Sequence, residues 1–552
     1  MMRCLSRLCL LGPFLCRTAL AQNASLPTVD LAYEIIQATV YNETAGYYNF
    51  SNVRYAAPPL GDLRFKAPKA PATNRSSVQT GATGVVCPQA IPQWILEALF
   101  FTANYTQGLP FNASAWVDPI SVTSLPQDGR TSEDCLFLDV IVPKTVLESN
   151  SSSAPVMVWI HGGGYAQGSK SDYGMPGEIA NSSNNVVFVA INYRLGAFGF
   201  VSGPSLQAQG GDANAGLLDQ RFALEWVQAN IAKFGGDPSQ VTVMGESAGG
   251  GSILHQITAY GGATPLPFQR AVPQSPAYYP FKSNAQQDSY FHGYLSLLNV
   301  TTLAQARNLS SSFLIAANIA QSAASEYGEF IFGPCVDGIF VPDYPPRLLL
   351  NGEFSKDVEV MTGHNAEEGV LFTPPNITNE ITFDAWVSSL FPTMSLAEID
   401  YIETVLYPPP SNGTTSYTNN LDRAILMNSE MLITCNAFYL DTAYDNQTYA
   451  YEFAVYPAIH GADLTYTFYD GPFGSVYDGL AFNSTVAEVL QDYELSFTKA
   501  GKPTTSVAGV PEFRMYGVDA ILMEMSGSGV GMVVDPAANE RCKWWQERFG
   551  FV

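Results

Sequence analysis

The stretch Val241-Thr242-Val243-Met244-Gly245-Glu246-Ser247-Ala248-Gly249 runs from a short β-branched segment, which reads as a buried strand, into a Gly-x-Ser-x-Gly element. This is the pattern of a strand that turns abruptly into a helix with a serine at the bend. Such a bend strains the serine backbone and leaves no room for neighbouring side chains, which accounts for glycine on either side. Ser247 is therefore the candidate nucleophile, and a helix is predicted to begin at Ala248.

Further apolar runs extend this reading in both directions. Val156-Met157-Val158-Trp159-Ile160, Val186 to Ile191 and Val358-Glu359-Val360-Met361 read as interior strands of a parallel sheet, and Tyr449 to Val455 reads as a strand. Leu217 to Phe234 has helical spacing through Leu218, Phe222, Trp226 and Ala229, and Gly235-Gly236-Asp237-Pro238 closes it with a glycine cap and a proline block. Strand, helix, strand, turn, helix is α/β connectivity, with a mostly parallel central sheet and helices on both faces. No repeat, low-complexity linker or charge run divides the chain, so one contiguous domain is the simplest account.

The chain has 552 residues, 47% of them apolar, enough for a large core. A formal net charge of −24 weighs against nucleic-acid binding, because phosphate backbones would repel it. Residues 1–21 carry Arg3, Arg7 and Arg17, no acid, an apolar stretch from Leu8 to Cys16 and the ending Ala19-Leu20-Ala21. Together these read as a secretory signal whose removal leaves residues 22–552 as a secreted, extracellular catalytic domain. The apolar stretch is too short to span a bilayer and no other apolar run approaches 18 residues, so no transmembrane anchor is expected.

Asn-x-Ser/Thr sequons agree with secretion and mark Asn23, Asn42, Asn49, Asn74, Asn104, Asn112, Asn150, Asn181, Asn299, Asn308, Asn376, Asn412, Asn446 and Asn483 as candidate glycosylation sites. Cys4, Cys9 and Cys16 would leave with the signal, and Cys87, Cys135, Cys335, Cys435 and Cys542 would remain in an oxidising compartment. With no Cys-x-x-Cys or His-Glu-x-x-His spacing, neither a metal site nor a cofactor is indicated.

A serine hydroxyl needs a base to become a nucleophile near neutral pH. Of the five histidines, His161 in His161-Gly162-Gly163-Gly164 suits a backbone donor loop. His255 would point away along the helix behind Ser247, and His292 lies in an undistinguished aromatic segment. His364 lies beside Asn365-Ala366-Glu367-Glu368-Gly369, a place better suited to the acid. That leaves His460, in Ile459-His460-Gly461-Ala462-Asp463, as the base. Glu367 and Glu368 both qualify as the carboxylate that orients it, and side-chain chemistry does not separate them. Backbone N–H groups of Gly163, Gly164 and Ala248 are suited to hold the oxyanion of a tetrahedral intermediate.

Taken in order, Val53-Arg54-Tyr55-Ala56-Ala57-Pro58-Pro59-Leu60-Gly61-Asp62-Leu63-Arg64-Phe65, Glu133-Asp134-Cys135-Leu136-Phe137-Leu138-Asp139-Val140, His161-Gly162-Gly163-Gly164, Asn192-Tyr193-Arg194-Leu195-Gly196 and the serine pentapeptide resemble the type-B carboxylesterase/lipase family, which includes cholinesterases and fungal lipases. The resemblance covers nearly all of the mature chain and implies the α/β-hydrolase fold. It implies Glu368, before Gly369, as the acid and His460, before Gly461, as the base. Glu246 matches the family pattern beside the nucleophile. Ser275, in Pro273-Gln274-Ser275-Pro276, falls where the family has a serine supporting the triad from behind; otherwise it is an ordinary turn serine. Cys87 and Cys135 resemble the family disulfide that closes a loop over the active-site gorge, which would stabilise by roughly 3–4 kcal/mol. For Cys335, Cys435 and Cys542 no pairing follows, and one further clamp plus a buried thiol is the simplest arrangement.

The 87–135 loop contains the apolar stretch Ile91 to Phe101. It reads either as a lid that shields an apolar group and makes transient contact with a lipid interface, or as a core-packed loop. The expected activity is cleavage of a small-molecule or lipid carboxylic ester through an acyl-enzyme. The alternatives are a choline-ester hydrolase using Trp94 or Trp116 for cation–π contact, and a non-catalytic adhesion protein, which the presence of Ser247, Glu368 and His460 disfavours.

Overall fold

The computed structural model describes residues 26–149, 153–174, 185–277, 282–410, 415–469 and 482–548. The signal at 1–21 and the sequons at Asn23, Asn150, Asn181 and Asn412 lie outside the described residues. Strands β1 (Thr28–Asp30), β2 (Ile35–Gln37), β3 (Val40–Asn42), β4 (Tyr47–Arg54) and β5 (Val78–Gln79) occupy the N-terminal part. They are followed by β6 (Phe137–Pro143), β7 (Ala154–Ile160), β8 (Val187–Ile191), β9 (Gly236–Glu246) and β10 (Arg270–Gln274). The last are β11 (Glu359–Asn365), β12 (Tyr449–Ala454), β13 (Ile521–Ser526) and β14 (Gly529–Val534).

Eleven of these form one sheet in the order β14-β13-β12-β11-β10-β9-β7-β8-β6-β4-β3, while β1, β2 and β5 form a small separate sheet. The interior from β8 to β13 is parallel; β6, β4 and β3 at one edge and β14 at the other run antiparallel. Strand β8 is buried at every position and β7 at all but one, as sheet strands covered on both faces must be. From β7 the chain passes to β8 on one side and returns through β9 on the other. This reversal opens a crevice beyond the carboxyl ends of β7 and β9, the usual ligand position in α/β sheets. Gly162-Gly163-Gly164 follows β7 there and Ser247 follows β9.

The Ala215–Asn230 helix continues as a 3-10 turn over Ile231–Phe234 and stops at Gly235, whose φ of 86° is left-handed, as its glycine cap predicts. Pro238 does more than block the helix, because it lies within β9. Pairing with β7 jumps there from Ala154–Gly236 to Val156–Val241, so residues 237–240 form an irregularity that dispenses with a proline N–H.

Cys87 pairs with Cys135 as the resemblance implies, and Cys435 pairs with Cys542, joining the Cys435–Ala443 and Glu540–Arg548 helices; Cys335 is a buried thiol. Within the first loop, residues Trp94–Tyr105 form a helix. Its Trp94, Ala98 and Phe101 are buried, whereas Leu99 and Phe100 are 55% and 52% exposed. The core-packed and lid readings therefore describe opposite faces of one helix.

The 192–196 motif has a structural use. Arg194 donates from Nε and Nη2 to Asp219 Oδ2 and Oδ1, both at 2.7 Å, and from Nη2 to the Lys66 carbonyl at 2.6 Å. Both side chains are almost completely buried. Removing one partner strands a buried charge, so Asp219→Ala should cost about 3–5 kcal/mol of stability, read as a lower urea midpoint. An unchanged midpoint would contradict this role.

Candidate active site

Ser247 sits at φ 58° and ψ −122° between β9 and the Ala248–Thr258 helix. Its N–H donates to the Gln274 carbonyl of β10 at 3.1 Å, and its carbonyl accepts from Gly251 (2.8 Å) and Ala277 (3.2 Å). This strained conformation is fixed from three directions.

His460 comes from the loop after β12. That loop is tied to the segment after β11 by a parallel bridge between Glu367 and Ile459 and by Glu367 N–H donating to the Ala458 carbonyl at 2.8 Å. Glu368 opens a 3-10 turn at that junction and is fully buried. His460 Nε2 lies 2.8 Å from Ser247 Oγ and Nδ1 lies 2.5 Å from Glu368 Oε2. The second Glu368 oxygen accepts from Ser275 Oγ at 2.6 Å and from Asn365 N–H at 2.7 Å. Glu367 is on the exposed side of the turn, so geometry separates the two adjacent acids. Ser275, fully buried, is no ordinary turn serine. The other histidines stay out of this arrangement. His161 stacks on Tyr193, His255 is buried in the helix behind Ser247, His364 contacts the Asn365 carbonyl, and His292 is exposed.

Glu246 Oε1 approaches His460 Nε2 to 3.4 Å. Burial alone would lower the His460 pKa, but the attraction of Glu246 and Glu368, with the Glu368 hydrogen bond, carries it above the ordinary 6.5. Burial pushes Glu246 up, with His460 pulling the other way. Burial also acts to raise Glu368, yet the attraction of His460 and hydrogen bonds from His460, Ser275 and Asn365 hold it below its usual range. Glu368 is thus suited to stay ionised beside an imidazole that gains or loses a proton.

Gly163 (φ 104°) and Gly164 (φ 61°) line the same cavity as Ser247, Ala248 and His460. A Cβ on Gly163 would lie 2.3 Å from the Gln167 carbonyl oxygen and one on Gly164 would lie 2.2 Å from the Phe330 ring, so neither position admits a side chain. The cavity has a volume of about 470 Å³. Gln167, Asp172, Thr465 and Tyr469 give it a polar side, and Ile95, Phe330, Leu371 and Phe372 an apolar one. Phe330 and Phe372 also border a second cavity of about 360 Å³, lined by Tyr290, Tyr327, Trp386, Leu390 and Met431 among others. Trp94 packs against both rings, at 5.6 and 6.4 Å between centroids.

Sequence reasoning missed the support around Ser247, His460 and Glu368. Asn365 and Asp463 stood within the quoted histidine and acid motifs and Gln274 next to Ser275, and that adjacency was the available signal. Among the described residues no group of three or more His, Cys, Asp or Glu could hold a metal ion. No helix of the described residues is long and apolar enough to cross a membrane. The sequon asparagines Asn74, Asn112, Asn299, Asn308 and Asn376 are exposed. Asn42, Asn104, Asn446 and Asn483 are half-buried, and Asn49 lies in β4 between two other strands with its Oδ1 enclosed.

Residues 27–529 match the model of the carboxylesterase family. The chain is 42% identical over 547 residues to carboxylesterase patB of Penicillium expansum, covering 95% of this chain and 96% of that protein. It is 35% identical to lipase 2 of Geotrichum candidum across 65% of this chain and 66% of the lipase. The crystal structure of Aspergillus niger EstA superposes with a TM-score of 0.79 at 26% identity, covering 95% of this chain and 99% of that one.

If neutral His460 is the base, the rate is lost as pH falls through its raised pKa, placing the acid limb of kcat/KM above 6.5. Replacing Glu246 by Gln removes the leading charge that stabilises the imidazolium, so the His460 pKa drops and the limb moves to lower pH. A Glu246→Gln profile superposing on wild type, or displaced to higher pH, would contradict this.

Proposed function

The chain belongs to the carboxylesterase family and is a carboxylic ester hydrolase, and from that premise we propose that it is a secreted, glycosylated serine hydrolase whose residues 22–552 act as one catalytic unit through Ser247, His460 and Glu368. Ser247 Oγ attacks the ester carbonyl while His460 Nε2 takes its proton. The carbonyl oxygen becomes an oxyanion held by the N–H groups of Gly163, Gly164 and Ala248. Collapse of this intermediate breaks the bond to the alcohol, which leaves with the proton from His460, and Ser247 remains acylated. Water, deprotonated by the same imidazole, then releases the carboxylic acid. Glu368 keeps the Nδ1–H tautomer and stabilises the transient imidazolium. The observation that carries this reading is the continuous 2.8 Å and 2.5 Å chain from Ser247 through His460 to Glu368 at the wall of the cavity.

Similarity over nearly the whole chain to a carboxylesterase, against two thirds for a lipase, favours small-molecule esters. A lipid-interface reading is supported by the exposed Leu99, Phe100, Leu109, Val117 and Ile120, which all lie on the 87–135 loop. The choline-ester reading has less support. No tryptophan is among the described residues lining the cavity, since Trp94 packs behind Phe330 and Phe372 and Trp116 packs on Phe100 and Phe111.

Ser247→Ala should reduce p-nitrophenyl ester turnover by about six orders of magnitude; retained turnover would remove Ser247 from the mechanism. A chain-length series of esters, with and without an oil interface, should show activity on dissolved short-chain esters. Activity confined to long-chain esters at the interface would select lipase, and preference for choline esters would overturn both readings.

A further inference from the structure

Gln274 closes β10, is fully buried and is not among the residues lining the catalytic cavity. Its backbone carbonyl receives the Ser247 N–H. Its side chain enters a buried polar network behind the triad. Nε2 donates toward Tyr451 Oη at 3.0 Å and Thr467 Oγ1 at 3.1 Å, with Glu494 Oε1 at 3.3 Å and Asp463 Oδ2 at 3.5 Å also within reach. Tyr451 donates onward to Asp463 Oδ2 at 3.1 Å, and Thr467 to Glu494 Oε1 at 2.8 Å. Asp463 is joined to Asn365 twice: Oδ1 accepts from Asn365 Nδ2 at 3.1 Å, and the Asp463 N–H donates to Asn365 Oδ1 at 3.2 Å. The Asn365 main chain then donates to Glu368 Oε1.

The direction of these bonds allows only one orientation of the amide. Rotating it by half a turn would present Oε1 to the two hydroxyls and draw their protons away from Asp463 and Glu494, stranding two buried carboxyl oxygens. The carboxyl groups therefore select the orientation of Gln274, and the far arm through Thr467 and Glu494 stops the amide from turning. All members are at most 1% exposed, so bulk solvent does not reach the network. Glu494 Oε2 and Gln274 Oε1 have no hydrogen-bond partner among the described residues, which leaves the amide held by its donors.

We propose that Gln274 is a positioning residue for the ester hydrolysis: through its carbonyl it holds the nucleophile turn, and through Tyr451, Asp463 and Asn365 it keeps Glu368 aligned with His460. The inference rests on the reading of Ser247, His460 and Glu368 as the triad. Its chemical consequence lies at His460, which Glu246, Glu368 and Asp463 face as charged neighbours. If Asp463 loses its anchor, Asn365 and Glu368 relax, the Glu368–Nδ1 contact lengthens, and the imidazolium loses stabilisation.

Gln274→Met keeps side-chain length and backbone carbonyl but removes both donors. In the full-length enzyme, with functional serines counted by burst titration using a p-nitrophenyl ester, kcat per titrated site should fall about 10- to 100-fold. KM should change less than about twofold, because Gln274 is outside the cavity wall, and the acid limb should move to lower pH. Simple destabilisation would lower the number of titratable sites while leaving kcat per site and the limb in place, and that result overturns the proposal. If Gln274→Met yields no folded enzyme, the arms decide. Tyr451→Phe and Thr467→Val should each lower kcat per site, with Thr467→Ser restoring it, and wild-type kcat and acid limb in both would equally overturn it. Ser247→Ala in parallel keeps the two readings apart. Retained activity there removes the triad, whereas an inactive Ser247→Ala beside an unaltered Gln274→Met removes only the positioning role.

Discussion

The close approach of the Ser247 turn to its neighbouring strands is the constraint from which the site follows. A Cβ on Gly249 would stand 2.1 Å from the Ile160 carbonyl oxygen at the end of β7, and one on Gly245 would stand 2.6 Å from the same oxygen. The two glycines let β7 and the nucleophile turn meet with no side chain between them. Because β7 and β9 flank the reversal of strand order, that contact also brings the loop of Gly163 and Gly164 beside Ser247. Candidate oxyanion donors and nucleophile are thus placed by one packing contact. A strained serine backbone of this kind costs about 1–3 kcal/mol, and only a rigid surround keeps it in place.

What the sequence discloses and what it withholds follow from the same physics. Interior parallel strands are covered on both faces, so β7 and β8 read as unbroken apolar runs and were legible at nearly their true bounds. The antiparallel edge was not. β4 is half-buried over much of its length and mixes Asn49, Ser51, Asn52 and Arg54 with its apolar residues, while β14 is nowhere buried and is interrupted by Gly529 and Gly531, so neither reads as an interior strand. Pro238 was legible as a helix stop, while its place in an irregular part of β9 depends on a register that pairing alone decides.

At the site, the strand-to-helix bend singled out Ser247 and elimination among five histidines singled out His460, and the structure places the two side chains 2.8 Å apart. Glu367 and Glu368 could not be separated by chemistry, because neighbouring carboxylates differ only in which side of the backbone they face. The Glu367–Ile459 bridge decides that, and it is a long-range contact. Pairing of Cys435 with Cys542 was illegible for a similar reason, with 107 residues between two helices and no local pattern linking them. Glu494 lies on the Ser484–Ala500 helix with no motif around it, so nothing in its neighbourhood announces contact with the interior behind the triad.

The electrostatics of this interior differ in kind from those of the surface. A formal charge of −24 spread over the molecule acts through water and is screened over about 8–10 Å at ordinary ionic strength. Glu246, Glu368, Asp463 and Glu494 are enclosed, screened far less, and accompanied by a single imidazole. Burial opposes the charged form of each, and it pushes Asp463 up to about 6 and Glu494 to about 8. Glu368 alone among them receives enough donors to be held below its usual range. Negative charge is therefore held most firmly on the carboxylate that faces His460 Nδ1, where an imidazolium is stabilised.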